Sequence, residues 1–552
     1  MKLINNAILL QPRPALAQEI LECLPKAKRG IVDGKDTVAV RHEIRETHAL
    51  REIGFDVPSP IKYGWDFPGM YPPRDNQVHT AAFATLYKRG FILNEMRTGK
   101  SFAALWAAEY LLQEGLIRRV LVVCPKTCIH DVWEPALFQC LPHRSVATLY
   151  GSREKRLKAL SLGTDFCIIN HDGIPALSEQ VKIRTSAHWF CKELFGLFDL
   201  IIYDEANVLC NHRTRLYQSL ESLVKLTPAA VAVKANTENY EEPWLWLMTG
   251  TPTPTNYVDA WGLLKLVCKS IPVRSWTQFR ELMMVRISQW KWVNKQGAKE
   301  LLFKFMQPSI RFTQAQCFDL PPVQEIWRSV ELSKEQKLLY KKMQRDGKIE
   351  REAGAIQAAN AAVKVAKLLQ ISSGAVRDEF ENEVVVDASP RLEALRLVLE
   401  ELGVVSEGKK SVIFMPYTYV MHRVLEDLEN HKFRACLING STPTWKRKEL
   451  LSGFRGNVYD VLVAHPETMA HGVDLTCAES VIWYAPCYGA QYYQQGNQRI
   501  QGQLQTGNPV IVHMAATQLE RERYKALQDA TKGQADLMAL YEIALEEVVD
   551  SE

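Results

Sequence analysis

The sequence predicts an α/β chain of two successive lobes, each a parallel sheet flanked by helices, with helical insertions and a small N-terminal accessory domain. Three observations predict it. At 552 residues the chain is too long for a single hydrophobic core. Short continuous apolar runs alternate with longer helical patterns, as expected for strands buried on both faces of a parallel sheet with helical crossovers. The alternation occurs twice, on either side of a mostly helical region, although no close internal repeat is visible.

In chain order, residues 1–70 are mixed and close on the Pro/Gly/aromatic-rich stretch VPSPIKYGWDFPGMYPPRDNQ, which reads as an accessory domain followed by a linker. Residues 71–318 form the first lobe. Its strands are expected at GFIL (90–93), VLVVCP (120–125), DFCIIN (165–170), DLIIYDE (199–205) and LWLMTGTP (245–252), with a helical insertion over 256–318. Residues 319–530 form the second lobe. A helical stretch over 334–372 precedes strands at SVIFMP (411–416), ACLING (435–440), YDVLVAH (459–465), ESVIWYAP (479–486) and NPVIVHMA (508–515). The end, DLMALYEIALEEVVDSE, reads as an amphipathic C-terminal helix over 531–552.

Composition narrows the class. Hydrophobic residues at 47% and charged residues at 24% are ordinary for a globular protein. No stretch approaches the roughly 18 apolar residues of a membrane span. The start, MKLINNAILLQPRP, does not read as a signal peptide, so a cytoplasmic protein without a membrane partner is expected. A net charge of +4, from 67 basic and 63 acidic side chains, neither requires nor excludes nucleic acid, because a basic groove can sit inside a neutral total. The twelve cysteines lack C-x-x-C pairs, and Cys124, Cys128 and His130 come closest to a ligand cluster; reduced, buried thiols are expected.

The chemistry concentrates in two places. GFILNEMRTGKS (90–101) runs from an apolar strand through a turn into the helix FAALWAAEYLL, the context that a phosphate-binding loop requires. In this reading Asn94 stands in place of the usual first glycine, Thr98 and Gly99 belong to the cradle, Lys100 reaches the β- and γ-phosphates, and Ser101 ligates Mg2+. DLIIYDEAN (199–207) then places Asp204 and Glu205 at the carboxyl end of a buried strand, the edge where ligands bind in open α/β sheets. Asp204 can hold the Mg2+ and Glu205 can orient and deprotonate the attacking water. Either signal alone has an ordinary explanation, a chance Gly-Lys-Ser or a solvated acidic turn. Together they define a nucleotide phosphohydrolase.

From about residue 73 to 530 these segments, in order, resemble the Swi/Snf-like branch of the superfamily-two helicases. Gln77 in PPRDNQ resembles the adenine-reading glutamine of that branch. VLVVCPKTCIHDVWEPAL, with Lys126, Thr127 and Trp133, resembles a segment facing one DNA strand; Asn211 and Thr214 extend the carboxylate motif; and MTGTPTP, with Thr249, resembles the motif that couples nucleotide state to DNA. Arg311, DLPPVQE and LSKEQKLLY resemble the segment bridging the lobes. In the second lobe, NGSTPTWKRKELLSGF supplies Thr442 and Arg447, HGVDLTCAESVIWYAP supplies Gly472, Asp474 and Thr476, and QQGNQRIQGQLQ supplies Arg499. Arg74 and His130 are weaker matches for backbone or nucleotide contacts, and Trp244, Trp246, Trp261 and Trp483 read as core.

The resemblance implies two RecA-like lobes with ATP between them, Lys100, Asp204, Glu205 and Arg499 as catalytic residues, Gln77, Gly472 and Asp474 beside the phosphate loop on the nucleotide, and a DNA translocase activity. Duplex DNA is the expected partner, with branched or single-stranded DNA, or RNA, as alternatives, and an ATP-binding scaffold as the reading from another class. A monomer is expected, with residues 1–70 open to a protein partner, and the compact length suits a bacterial or phage-encoded form. Two departures stand out: Arg97 occupies a loop position where the branch carries glycine, and Gly502 stands where it carries a second arginine three residues after Arg499.

Overall fold

The computed structural model describes residues 1–531 except 5, 184–185, 234–239, 255, 269–270, 272, 288–291, 320, 347, 350–355, 358–360, 379, 470–472 and 503–506. The expected C-terminal helix, apart from residue 531, and Gly472 lie outside the described residues. The described residues divide into two compact units, the first over Met1–Cys317 and the second from Phe318 to Thr531.

In the first unit, seven strands form a wholly parallel sheet. Their spatial order is Ser309–Ile310, Arg89–Ile92, Trp244–Met248, Leu200–Asp204, Val120–Cys124, Phe166–Asn170 and Val146–Leu149. Every residue of four of these strands is buried, which explains their unbroken apolar sequences. The register aligns Ile92 with Met248 and Met248 with Asp204, so three loops leave neighbouring strands at one carboxyl edge. The two edge strands, Val146–Leu149 and Ser309–Ile310, lack the apolar run that marks the interior strands. Within 256–318 the helices Ala260–Val267, Trp276–Met283 and Ala298–Phe305 match the expectation, but the hairpin Met284–Arg286 with Trp292–Asn294 and the strand Ser309–Ile310 do not.

The N-terminal residues build a four-stranded antiparallel sheet in the order Lys2–Ile4, Ala7–Leu10, Lys35–Arg41, Lys28–Val32. With the helices Pro14–Cys23 and Ile44–Glu52 it encloses its own core of Ile8, Leu10, Ile20, Val38, Val40 and Leu50. The stretch read as a linker is packed instead. Trp65 and Phe67 meet the rings of Tyr110 and Trp106 edge-on, and the Trp106 indole donates to the Pro68 carbonyl at 2.8 Å. A Cβ on Gly69, at φ +115°, would fall 2.6 Å from the Gln139 carbonyl, so only glycine lets the chain lie this close. Aromatic burial outweighs the turn-forming bias of the prolines and glycines here.

The second unit holds six parallel strands in the order Gln324–Ser329, Val510–Ala515, Ser480–Trp483, Ser411–Phe414, Val461–Ala464 and Ala435–Ile438. Five match the sequence expectation. The sixth, Gln324–Ser329, is mostly exposed at the sheet edge and has no apolar run. Both units thus carry the parallel, helix-flanked sheets of RecA-like lobes. The four tryptophans assigned to the core are buried.

A buried ion pair fastens the second unit. Arg391 Nη1 lies 2.8 Å from Glu520 Oε1, and Arg391 also donates to the carbonyls of Ser372 and Met514. Glu520 Oε2 accepts from the amides of Ala516 and Thr517. Removing one member strands the other charge in the core, so Glu520→Ala is expected to cost about 3–5 kcal/mol, read as a lowered urea midpoint.

His513 lies fully buried in the same unit, with Nε2 2.7 Å from the Tyr493 hydroxyl and the Trp327 ring stacked at 4.9 Å. Burial lowers its pKa to about 4. A depressed imidazole leaves the folded state neutral while the unfolded chain takes up a proton, so stability is full above about pH 6.5 and falls toward pH 4, by at most about 3 kcal/mol. Urea unfolding of the parent and of His513→Gln across that window should show the flatter pH dependence in the variant.

Candidate active site

The phosphate loop is held on both sides before any ligand is considered. Its first arm runs beside residues 308–312: the amides of Phe91, Leu93 and Glu95 donate to the carbonyls of Pro308, Ile310 and Phe312. Arg311, buried, clamps this arm through the Leu93 carbonyl at 2.8 Å and Glu95 Oε1 at 2.7 Å. Gln314 adds its amide to Glu95 Oε2 and its side chain to the Met96 carbonyl. Asn94 is buried and its side chain is a tie, with Nδ2 donating to Thr80 Oγ1 and Oδ1 accepting from the Phe312 amide. An asparagine in place of the usual glycine therefore anchors the loop, and its carbonyl, not its side chain, faces Lys100.

The second arm rests on the helix Asp75–Leu86. Gln77 accepts from the Arg74 amide through Oε1 and donates to the Gly99 carbonyl at 3.4 Å, while Asn76 donates to the Thr98 carbonyl at 2.8 Å. Gly99 sits at φ +83°, and a Cβ there would lie 2.0 Å from Gln77 Nε2. Thr98 is buried and donates to the Glu95 carbonyl. Lys100, the first residue of the helix Lys100–Gln113, folds its ammonium back onto the carbonyls of Asn94 at 2.8 Å and Glu95 at 3.0 Å, and Ser101 follows in the first helical turn. Arg97 adopts φ +64°, a left-handed conformation that costs an L-residue about 1–2 kcal/mol.

One neighbouring strand leads into Thr249. A Cβ on Gly250 would come within 3.5 Å of the Asn94 carbonyl, so this segment abuts the phosphate loop. The next strand ends in the carboxylates. Asp204, 8% exposed, accepts from Trp133 Nε1 at 3.0 Å through Oδ2 and from the Glu205 amide at 3.0 Å through Oδ1. Its carbonyl lies 2.8 Å from His171 Nε2, and the His171 ring stacks on Tyr203. Glu205 is left-handed at φ +51°, a second strained residue at the site. Asn207 Nδ2 approaches Thr251 Oγ1 at 3.5 Å, linking the carboxylate loop to the segment after Thr249.

Burial pushes the Asp204 carboxyl up to about 6, with Glu205 adding to the rise and Lys100 and the Trp133 indole opposing it. Burial likewise lowers the Lys100 ammonium, which Glu205, Asp204 and Glu95 pull back up. The mutual effects place Lys100 and both carboxylates in one electrostatic group. Among the described residues no cluster of three or more His, Cys, Asp or Glu side chains is assembled for a metal. The oxygen donors here, the Ser101 hydroxyl and the Asp204 carboxylate, suit the hard cation Mg2+, which is commonly bound by one or two carboxylates together with substrate phosphates.

Two residues expected on nucleic acid are placed otherwise. Trp133 is fully buried and its one polar atom is spent on Asp204, so it positions the carboxylate and has no face for a polymer. Thr249 is 1% exposed, and its hydroxyl accepts from the Thr251 amide. Lys126, His130 and Asn211 are exposed and Thr127 half-buried; Lys126 stands over the Tyr150 ring, His130 pairs with Glu134, and Thr214 caps the helix Arg215–Val224 while its hydroxyl donates to the Asn211 carbonyl.

In the second unit, Thr442 locks onto Asn439 and Arg447 is half-buried nearby. Thr476 donates to Asp474 Oδ1, and buried Arg499 donates to the Val473 carbonyl at 3.0 Å, so Asp474, Thr476 and Arg499 come together. Gly502 is buried. The sequence reading missed Asn76, Thr80, Glu95, His171 and Gln314 as supports. Only Asn76 carried a signal, its place beside Gln77. The nearest approach to a metal cluster dissolves: Cys124 and Cys128 are buried thiols outside any disulfide, and His130 turns to Glu134.

A phosphate loop on a parallel sheet, flanked by a carboxylate pair, is the machinery of a nucleotide-hydrolysing α/β enzyme. A family model of the SNF2-related domain matches residues 77–379, and one of the helicase conserved C-terminal domain matches residues 393–501. The chain belongs to the SNF2-related family and is an ATP-hydrolysing enzyme of the helicase superfamily.

Three curated relatives illustrate the family's range. Protein p41 of Acyrthosiphon pisum secondary endosymbiont phage 1 is 24% identical over 77% of this chain and 88% of its own length. A Drosophila melanogaster homologue of the SWI/SNF-related matrix-associated actin-dependent regulator of chromatin subfamily A containing DEAD/H box 1 is 20% identical over 71% of this chain and 51% of its own. YwqA of Bacillus subtilis (strain 168), whose name carries the words ATP-dependent helicase/translocase, is 21% identical over 71% of this chain and 40% of its own. The chain thus spans about half or less of the last two. Among solved structures, the Sulfolobus solfataricus SWI2/SNF2 ATPase core in complex with dsDNA is 18% identical, with a TM-score of 0.38, over 88% of this chain and 97% of that one.

The kcat/KM for ATP is expected to fall below about pH 6 as Asp204 takes up a proton. Trp133→Phe removes a donor that favours the ionised carboxylate, so it should move that fall upward by about half a unit to one unit. Steady-state turnover from about pH 5 to about pH 8 measures both; an unmoved acid limb would mean that the indole does not tune Asp204.

Proposed function

We propose that this chain is an ATP-driven motor that tracks along double-stranded DNA, without a requirement to separate its strands. The observation that carries the reading is the strand order of the first unit, which sets the phosphate loop, the Thr249–Pro252 segment and the Asp204–Glu205 pair side by side at one sheet edge. Nucleotide state sensed at the loop passes to Gly250 and, through Asn207 and Thr251, to the carboxylate loop. The names of two relatives, one a regulator of chromatin and the other an ATP-dependent helicase/translocase, agree with a motor on DNA.

In this reading the backbone N–H groups of the loop and of the first turn of Lys100–Gln113 receive the phosphates, and Lys100 exchanges the Asn94 and Glu95 carbonyls for β- and γ-phosphate oxygens. Gln77, against Gly99, takes the adenine edge. Ser101 and Asp204 would hold a Mg2+, which supplies charge neutralisation of the phosphates when bound. Glu205 accepts the proton of the water that attacks the γ-phosphorus. Exposed Lys126 with Thr127 and Asn211 in the first unit, and Thr442, Arg447 and Thr476 in the second, would contact the sugar–phosphate backbone. Such contacts make binding weakly sequence-selective and strongly salt-dependent.

ATP hydrolysis should be measured with no nucleic acid and with duplex, forked and single-stranded DNA and RNA. Duplex is expected to stimulate most. Lys100→Ala and Glu205→Gln are each expected to reduce turnover by about 100-fold or more. Greater stimulation by forked DNA or RNA would replace the duplex-tracking reading. DNA binding without stimulated hydrolysis would favour an ATP-binding scaffold, to which Gly502 is the residue that points.

A further inference from the structure

The hairpin of the strands Lys28–Val32 and Lys35–Arg41 is the part of the N-terminal sheet that its core leaves over. That core takes Val38 and Val40 from the second strand and no residue from the first. Residues 28–36 are all exposed. A Cβ on Gly30 or Gly34 would meet no atom within 4 Å, so this end of the ribbon stands in open space. The ribbon is nonetheless stiff. Its turn residues, Asp33 at φ +48° and Gly34 at φ +74°, are both left-handed, which matches the twist of a tight hairpin and fixes the pairing of Val32 with Lys35. Arg29 braces the two strands by donating to both carboxylate oxygens of Asp36, at 2.9 Å through Nε and 2.6 Å through Nη2.

Two features of this end serve no purpose in the fold. Ile31, near the tip, is 80% exposed. Lys26, Lys28 and Lys35 are exposed and, among the described residues, join no ion pair. With Arg29 spent on Asp36, these three cations face the single remaining carboxylate of Asp33. An edge strand bearing lysine and glycine is poorly suited to adding a strand from another protein. An anionic polymer suits it better. A two-stranded ribbon fits the major groove of B-form DNA, about 12 Å wide, and not the minor groove of about 6 Å. Lysines along such a ribbon reach the flanking phosphates, and an apolar side chain near its tip meets base edges, the thymine methyl among them.

We propose that this hairpin is a duplex-binding element outside the helicase motifs, laid in the major groove with Lys26, Lys28 and Lys35 on phosphates and Ile31 toward the base edges. The proposal rests on the reading of the chain as a motor on double-stranded DNA. It adds a surface to which the helicase resemblance, beginning at about residue 73, does not extend. Because the same chain holds DNA through its lobes, a modest second contact strengthens binding by more than its own affinity.

The test measures duplex Kd against salt concentration for the parent, for Ile31→Ser, and for a triple variant carrying Lys26→Gln, Lys28→Gln and Lys35→Gln. The triple variant should bind on the order of 10-fold more weakly, with the slope of log Kd against log salt reduced by about 2 to 3. Ile31→Ser should weaken binding by about fivefold and keep the parental slope. Hydrolysis without DNA and the urea midpoint should be parental in both, since all four side chains are exposed and outside the core. Parental Kd and slope in both variants would overturn the proposal. So would a weakening that comes with a lowered urea midpoint, an equal weakening on single-stranded DNA, which has no groove, or a parental Kd for Ile31→Ser. If duplex stimulates hydrolysis in a parent whose variants bind as it does, the hairpin proposal alone falls. A parent that binds no duplex would sink the motor reading with it.

Discussion

The first unit is organised around a carboxylate that its own fold has taken out of water. Asp204 ends an interior strand and is 8% exposed, so its ionised form must be compensated locally. Two N–H donors, the Trp133 indole and the Glu205 amide, hold its oxygens, and Lys100 opposes its charge from across the loop. Those compensations explain much of the surrounding geometry. Trp133 is buried because its indole is needed at the strand end, Glu205 is bent into a left-handed conformation as its amide turns to Asp204, and Lys100 folds back onto its own loop. A group held this way is poised for a cation, whose arrival would relieve the desolvation that raises its pKa.

The same economy of long-range ties appears in the second unit with a different purpose. Arg391 and Glu520 are both buried; Arg391 also donates to the carbonyls of Ser372 and Met514, and Glu520 accepts from the Ser372 hydroxyl and from the amides of Ala516 and Thr517. The network ties the helices Ala361–Ser373 and Ser389–Glu401 to the strand Val510–Ala515. Buried ion pairs are weak sources of net stability, but losing one partner is costly, so the network specifies the arrangement more than it strengthens it.

Measured against its family, the chain departs from pattern in a coherent way. Asn94 stands in place of the usual glycine and its side chain is hydrogen-bonded to Thr80 and Phe312, so the loop's entry is stiffer than a glycine would make it. Arg97 replaces another glycine and accepts a strained backbone. Gly502 stands where the resemblance implies a second arginine. One change stiffens the loop, one charges it, and one leaves a segment far along the chain without that arginine.

Much of this was legible in the sequence, and for identifiable reasons. Most strands of the two parallel sheets announced themselves as apolar runs because burial on both faces demands it, whereas Val146–Leu149 and Gln324–Ser329, at sheet edges, carry no such signature. The phosphate loop and the carboxylate pair were readable because each is a local arrangement of covalent neighbours. What the sequence could not contain is adjacency. The order that places the strand ending at Met248 between the phosphate loop and Asp204, the clamp of Arg311 on a loop far earlier in the chain, and the reach of Trp133 to a carboxylate 71 positions away exist only once packing brings distant segments together. Local chemistry is written in periodicity and spacing; which local pieces meet is decided by the burial and hydrogen bonding of the whole, and that decision turned Trp133 from an expected DNA contact into a support for the Asp204 carboxylate.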